Sequence, residues 1–436
     1  MTAASPNKTF IHLLINSLGS TITHMTIWFA LIFFVYLETR SVMATAIISG
    51  IYMASISLSG FWFGSLVDHY PKKRLMIISG VISLVIYIVG LALYLTTPAA
   101  DWKNASSKVL WIFIPLLLSG VLAGNIRSIA LPTIVTLLFP ADERDKANGL
   151  VGTASGIGFL IVSAISGFMV AMAGMTLVLV MGIVIMAASI VHLHFIDIPE
   201  NTVAHREAAL PRLDIKGTLV IVAAVPGLLA LIFFSTINNF LGGVFMGLMD
   251  AYGLSLLSVE AWGVLWAVLT LGFIVGGIYI ARKGLGGNPL KSLFLANIVI
   301  WVISSVFTLQ SSLYLFSIGM FIYMCIVPFI EAAEQTIIQK VVPADRQGRV
   351  FGFAQSIETA ASPLSTLFIG PLAELVFIPF MTTGAGVDWI GGWFGTGVDR
   401  GIALVFTLTG LVGLAVTLFA MRTRNYRVLA ENYERA

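Results

Sequence analysis

Four charged side chains stand inside long apolar runs of this chain: Arg127, Glu331, Glu334 and Glu358. In lipid, a charge at a helix centre costs roughly 2.5–3.5 kcal/mol on insertion scales, so each is a candidate for chemistry before it is a candidate for packing. Depth sorts them. At about 1.5 Å per residue, Arg127 falls about 5 Å from the middle of its run. Glu358 falls close to the middle and Glu331 a few residues inward of it. Glu334 lies nearer the cytoplasmic edge, where water reaches. An acid near the midplane is tolerable only with a proton or a counter-ion. One that sheds its charge when shut away, and regains it when wetted from one side, ties proton movement to a change of access. The plainer reading of Glu358 is a protonated acid hydrogen-bonded to a neighbouring helix.

His24 lies in the first run, one turn from Trp28 and two turns from Asn16. That spacing puts all three on one helix face. The face is either a polar and aromatic surface for substrate, with His24 titrating, or a packing contact holding a neutral histidine. Asn238, Asn239, Gln335 and Gln355 are further polar groups in apolar runs. Each is a cavity candidate or a bond to a neighbouring helix. His192 and His194 stand near the inner end of the sixth run without the further ligands that a metal needs. No metal or other cofactor is expected.

The elements that must position these groups are membrane helices. The chain has 436 residues, 58% hydrophobic and 10% charged, with a mean hydropathy of +0.97. A soluble domain carries roughly 25% charged residues, so the solvent here is lipid. One cysteine, Cys325, excludes a disulfide framework and a thiolate metal cluster. No G-x-x-x-x-G-K-[ST] motif occurs, which argues against direct ATP coupling. Nothing points to nucleic acid. The first residues, Met1 to Thr9, lack the pattern of a cleaved signal, so the first run is expected to stay as a helix.

A span needs about 20 apolar residues. Twelve are predicted, near 10–37, 42–67, 75–97, 109–138, 147–173, 175–196, 217–248, 259–281, 290–311, 313–340, 349–377 and 401–421. In the seventh, Asn238-Asn239 and Gly242-Gly243 are expected interruptions; Pro132, Pro328, Pro363 and Pro371 are expected kinks. With the N-terminus inside, 19 of the 24 Lys and Arg residues fall on the inner side and 4 on the outer. The positive-inside rule then puts both termini in the cytoplasm of a cell-membrane protein.

Two loops carry a pattern. Residues 64–74 read Gly-Ser-Leu-Val-Asp-His-Tyr-Pro-Lys-Lys-Arg between the second and third runs. The loop at 139–149 recurs at 342–352: Pro140, Ala141, Asp142 and Gly149 reappear as Pro343, Ala344, Asp345 and Gly352, all offset by 203. Gly167 and Gly370 keep the same offset. The expected organisation is an N-terminal six-helix half at 1–196, a cytoplasmic linker at 197–216 and a C-terminal six-helix half at 217–436. Gly64, Asp68, Lys72 and Lys73 match the loop signature G-x-x-x-D-R-x-G-R-K, so the chain resembles the major facilitator superfamily, which is built from such parallel repeats. His69 and Pro71 depart from the signature. Residues 339–349, Gly370-Pro371-Leu372, Gly401-Ile-Ala-Leu and Asn425-Tyr426-Arg427 are similar to the macrolide-efflux and enterobactin-exporter branch.

The resemblance implies an all-α membrane fold of twelve helices in two pseudo-symmetric halves. It implies that helices 1, 4, 7 and 10 line a central cavity, which sets Arg127 and Glu331 facing each other. They form either a salt bridge that breaks and reforms during alternating access or a static pair. It implies that Asp68, with Lys72 one turn away, closes the cytoplasmic side against the start of helix 11 near Gly348, where a helix dipole favours an acid. Gly60 and Gly64, with Gly152 and Gly156, allow close helix approach. The expected function is proton-coupled export of an amphipathic small molecule by a monomer, with protons, substrate and membrane lipids as its partners. The departures are an acid of helix 1 replaced by Ser20, a helix 4 arginine replaced by Val121 or Gly120, a helix 5 motif reduced to 163–167, and a second loop signature, 277–283, without its acid. A lysolipid flippase and a metabolite symporter remain rivals on the same fold. A membrane enzyme is disfavoured, because no His-Asp, Ser-His or metal cluster stands out.

Overall fold

The computed structural model describes residues 6–39, 42–104, 106–200 and 215–435. The regular elements among them are all helices. That follows from the composition: in lipid every backbone N–H and C=O must be satisfied within its own segment. Among the described residues, eleven helices are long and apolar enough to cross a membrane. One of them, Arg144–His194, runs 51 residues and loses helical geometry at Ala173 and Gly174, with Gly174 at φ +56°. A helix that long would reach about 75 Å against a hydrocarbon core of about 30 Å. It is two spans, and the total is twelve.

We label the spans in order. The first three are α1 (Pro6–Thr39), α2 (Val42–His69) and α3 (Lys72–Thr96). Two segments, Lys108–Gly124 and Ile126–Leu138, make α4. The broken helix supplies α5 (144–172) and α6 (175–194). Next come α7 (Leu228–Leu256), α8 (Val259–Lys283), α9 (Pro289–Val306) and α10 (Leu313–Val341). The last spans are α11 (Gln347–Leu372), which continues through a π-helical turn at Ala373–Phe377, and α12 (Val398–Arg422). A short amphipathic helix, α13 (Arg424–Arg435), ends the chain.

Two boundaries differ from the sequence expectation. The seventh span is interrupted at 225–227, before α7, and not at Asn238-Asn239 or Gly242-Gly243. Pro226 cannot donate a helical hydrogen bond, and Gly227 takes φ +85°. The fourth span breaks at Gly124-Asn125, ahead of Pro132, which sits inside a continuous helix. Most of the linker expected at 197–216 lies outside the described residues.

The chain divides into two compact units. The first comprises Met1–Arg144, Ile157–Thr218 and Val342–Ser356. The second comprises Asp145–Gly156, Leu219–Val341 and Ile357–Ala436. The first turns of α5 thus group with the second unit, and the first turns of α11 with the first. Each unit has its own apolar core. In the first it gathers Ile27, Leu31, Phe34, Tyr87, Phe113 and Leu117; in the second, Phe245, Tyr252, Trp301, Phe307, Phe316 and Phe406. Large apolar side chains also face outward, among them Phe168 at 64% and Phe419 at 73% exposure. In water they would be a liability; in hydrocarbon they cost nothing.

Candidate functional site

In the first unit the buried charge is fully engaged. Arg127 opens the second segment of α4 and is 5% exposed. One guanidinium nitrogen donates to Asn16 Oδ1 at 2.6 Å, another to the Met76 carbonyl at 3.2 Å. Asn16 Nδ2 donates in turn to the Ser189 carbonyl at 2.7 Å. His192 stands 3.5 Å from that amide, and His12 3.2 Å from His192. The face expected to join Asn16, His24 and Trp28 is divided among different partners. His24 Nδ1 lies 2.6 Å from the Tyr87 hydroxyl, and its ring fills the notch at Gly124, where a Cβ would collide with it. Trp28 is buried and stacks on Tyr52 with centroids 3.9 Å apart. Gln355 meets Asn125 and Ser128 at 3.3 and 3.0 Å, beside the α4 break.

Gly64, Asp68, Lys72 and Lys73 lie in the same unit. Asp68 ends α2 with its side chain 2% exposed. Its carboxylate accepts from the Gly348 N–H at 2.6 Å, the Arg349 N–H at 3.0 Å and the Arg349 side chain at 3.1 Å. The two α11 amides belong to its first turn, whose N–H groups have no helical partner of their own. Gly64 and Gly60 bring α2 against Gly348 and Gly352 so closely that a Cβ on any of the four would strike backbone. Lys72 and Lys73 open α3, and their backbone N–H groups donate to Glu200 at 2.7 and 2.8 Å. Glu200 is therefore the acid that caps α3, and Lys72 feels both Asp68 and Glu200.

In the second unit three acids come together without a fixed cation. Glu331 and Glu334 are three residues apart on α10, and Glu358 is on α11. The Glu334 and Glu358 carboxyls lie within reach of each other, with Ser235 of α7 beside Glu334, and Glu334 Oε1 and Glu358 Oε1 are each buried without a hydrogen-bond partner among the described residues. Ionised carboxylates can only accept, so a proton is what lets such a pair bond. Glu331 is the third acid and feels the charge of Glu334. None of the three enters an ion pair among the described residues. Asn239 Nδ2 donates to the Ser235 carbonyl at 3.0 Å, and Asn238 accepts from the Trp301 indole at 2.8 Å. Gln335, next to Glu334, is half-buried. No group of three or more His, Cys, Asp or Glu has metal-binding geometry among the described residues.

The sequence profile of the Major Facilitator Superfamily matches residues 13–366. The chain belongs to that superfamily. Its fold is the major facilitator fold, twelve helices in two pseudo-symmetric halves, and it is a multi-pass membrane transporter. The chain is 21% identical over 377 residues to macrolide efflux protein A of Streptococcus pyogenes, covering 82% of this chain and 87% of that one. The human organic anion transporter MFSD10 (TETRAN) superposes with a TM-score of 0.69 at 14% identity, over 95% of this chain and 100% of that one. A bacterial homologue of the iron transporter ferroportin, in its outward-facing state, gives 0.65 at 13% identity, over 95% and 99%. At such identities the solved structures speak for the fold alone.

Within this facilitator, sequence reasoning passed over the groups that complete each cluster. Tyr87, Tyr52 and Ser235 look like ordinary members of apolar runs. Glu200 sits beyond the end of a helix with no pattern linking it to Lys72. Glu334, expected as a hydrated edge group, has a buried oxygen, Oε1, without a hydrogen-bond partner among the described residues. The only sequence signal for that cluster was the three-residue spacing of Glu331 and Glu334.

Proposed function

We propose that this transporter is a proton-coupled exporter of amphipathic small molecules, embedded in a cell membrane with both termini cytoplasmic and working by alternating access. The neighbouring Glu334 and Glu358 carboxyls, each with a buried oxygen that no hydrogen bond satisfies among the described residues, carry the reading. One proton satisfies such a pair, and Ser235 and Asn239 give it a polar setting. Wetting the pair from one side releases that proton, and occlusion demands it back. Glu331, on the same face of α10, receives a cationic group of cargo or a second proton. Arg127 holds α1, α3 and α4 in place through Asn16 and the Met76 carbonyl. The likeness to a macrolide efflux protein supports outward movement of a bulky, largely apolar cargo. The 19-to-4 distribution of basic residues supports the orientation.

The test is transport by purified protein in liposomes under an imposed pH gradient, against lipophilic cations, macrolides, siderophores and lysolipids. Uphill accumulation of an amphipathic compound that collapses with the gradient is the expected result. Movement indifferent to the gradient overturns proton coupling. Movement of lysolipids alone overturns drug-like export.

A further inference from the structure

The two halves treat the same junction in opposite ways. At the 203-residue offset, Thr153 corresponds to Ser356, Gly149 to Gly352, and Asp145 to Gly348. In the first unit Gly60 packs on Ser356, and Gly352 on both Gly60 and Gly64. In the second, Gly277 packs on Thr153, and Gly149 on Ala281. Gly60 therefore answers to Gly277, and Gly64 to Ala281. Four residues further on, Asp68 answers to Leu285. The first junction is closed by the Asp68 carboxylate accepting from the Gly348 N–H at 2.6 Å. The second is closed by the Leu285 N–H donating to the Asp145 carboxylate at 2.7 Å. Donor and acceptor have changed sides.

In this register the counterpart of Asp68 is Leu285, just past the 277–283 stretch, and it carries no acid. The loop after α8 supplies an N–H instead, presented by a turn through Gly284 at φ +72°, where a Cβ would meet the Asp145 carboxylate. The start of α5 is held a second time: Asn148 donates to Thr336 Oγ1 and Gln339 Oε1 of α10 at 2.8 and 2.9 Å. Residues 145–156 belong to the second unit and 347–356 to the first. Each carboxylate thus pins the helix start that its unit takes from the other half of the chain.

We propose that Asp145 is a positioning residue of the transport cycle, latching α5 to α8 as the counterpart of the Asp68 latch between α2 and α11. Both helix starts must be released for the cytoplasmic side to open, so the two latches bias one equilibrium. The proposal rests on alternating access, and it needs neither proton coupling nor a particular cargo.

The test uses full-length Cys325→Ser protein in nanodiscs, with a reporter cysteine at Thr153 or, separately, at Ser57. Ser57 donates to the Ser356 carbonyl at 2.6 Å, within the α2–α11 junction. The readout is the rate of labelling by N-ethylmaleimide. Asp145→Ala is expected to raise labelling on the order of fivefold at both reporters. Asp145→Asn, which keeps an acceptor oxygen for Leu285, is expected to raise it about twofold at both. A rise confined to residue 153, or none, overturns the proposal, because a purely local role cannot reach residue 57. If Asp145→Ala is not recovered folded, Asp145→Asn decides by the same two readings. Asp68→Asn is the control. If it leaves both rates unchanged, alternating access through these latches fails as a whole; if it raises both while the Asp145 variants do not, only the Asp145 proposal fails.

Discussion

Both units place charge where lipid makes charge expensive, and they handle it differently. In the first, Arg127 spends its donors on Asn16 and the Met76 carbonyl, and Asn16 passes the chain on to the Ser189 carbonyl. A guanidinium keeps its charge at every accessible pH, so this network has one state. In the second, Glu334 and Glu358 lie together with a buried, unsatisfied oxygen on each, and among the described residues no fixed cation in an ion pair removes the need for a proton. A carboxyl pair has at least two states. The contrast teaches where to look for coupling: in the group whose satisfaction depends on a mobile proton, and not in the most heavily bonded charge.

The largest expected effect breaks the mobile side of the comparison. Glu358→Gln keeps size and hydrogen bonding but cannot titrate. We expect at least a tenfold loss of uphill transport under a pH gradient, about 1.4 kcal/mol in the driving step, with equilibrium binding and downhill exchange retained. Undiminished uphill transport in liposomes would remove Glu358 as the carrier and move the assignment to Glu331 or His24.

Breaking the fixed side should damage the fold more than the coupling. Arg127→Ala leaves Asn16 Oδ1 and the Met76 carbonyl without their charged donor, at a cost of about 2–3 kcal/mol. Thermal unfolding in detergent should show a drop of several degrees. Asn16→Ala removes the same link, so the two losses should fall short of additive by at least about 0.5 kcal/mol. Full additivity would mean that the two residues act separately.

The latch comes next. Asp68→Asn keeps one acceptor oxygen where the Gly348 and Arg349 N–H groups use two, and it loses the ion pair with Arg349. We expect normal insertion and a transport rate lowered about fivefold. A wild-type rate at normal expression would show that the charge is dispensable for the cycle.

The smallest effect sharpens the reading of His24. Tyr87→Phe removes its bonded hydroxyl, 2.6 Å away, and should lower stability by about 1–2 kcal/mol with little change in pH-driven transport. A shifted pH profile of transport instead would mark His24 as part of the proton route.

Much of this was readable in one dimension. The twelve spans follow from the length of apolar runs, because lipid enforces helices wherever twenty such residues occur. Asp68 was readable because helix end, loop charge and glycine spacing coincide within a few residues. That Glu331 and Glu358 stand within apolar helices was readable by counting along the chain. Local chemistry decides each of these. The seventh span was misplaced in detail because two asparagines look disruptive in a line, yet both bond back to carbonyls four residues earlier, at Phe234 and Ser235, and leave α7 intact. Pro226 and Gly227 broke the span instead.

The sequence alone determined the solvent, the number of crossings, the duplicated halves and which residues carry intramembrane charge, since each depends on composition or on spacing along the chain. Tertiary structure decided which of those charges are committed. That Arg127 meets Asn16, that Glu334 meets Glu358 and Ser235, and that Asp145 meets Leu285 joins residues 111, 24, 99 and 140 positions apart. No local periodicity encodes such separations. They follow from how helices distant in the chain are packed, and in a membrane the packing decides whether a polar group is satisfied by a neighbour, by a proton or by nothing.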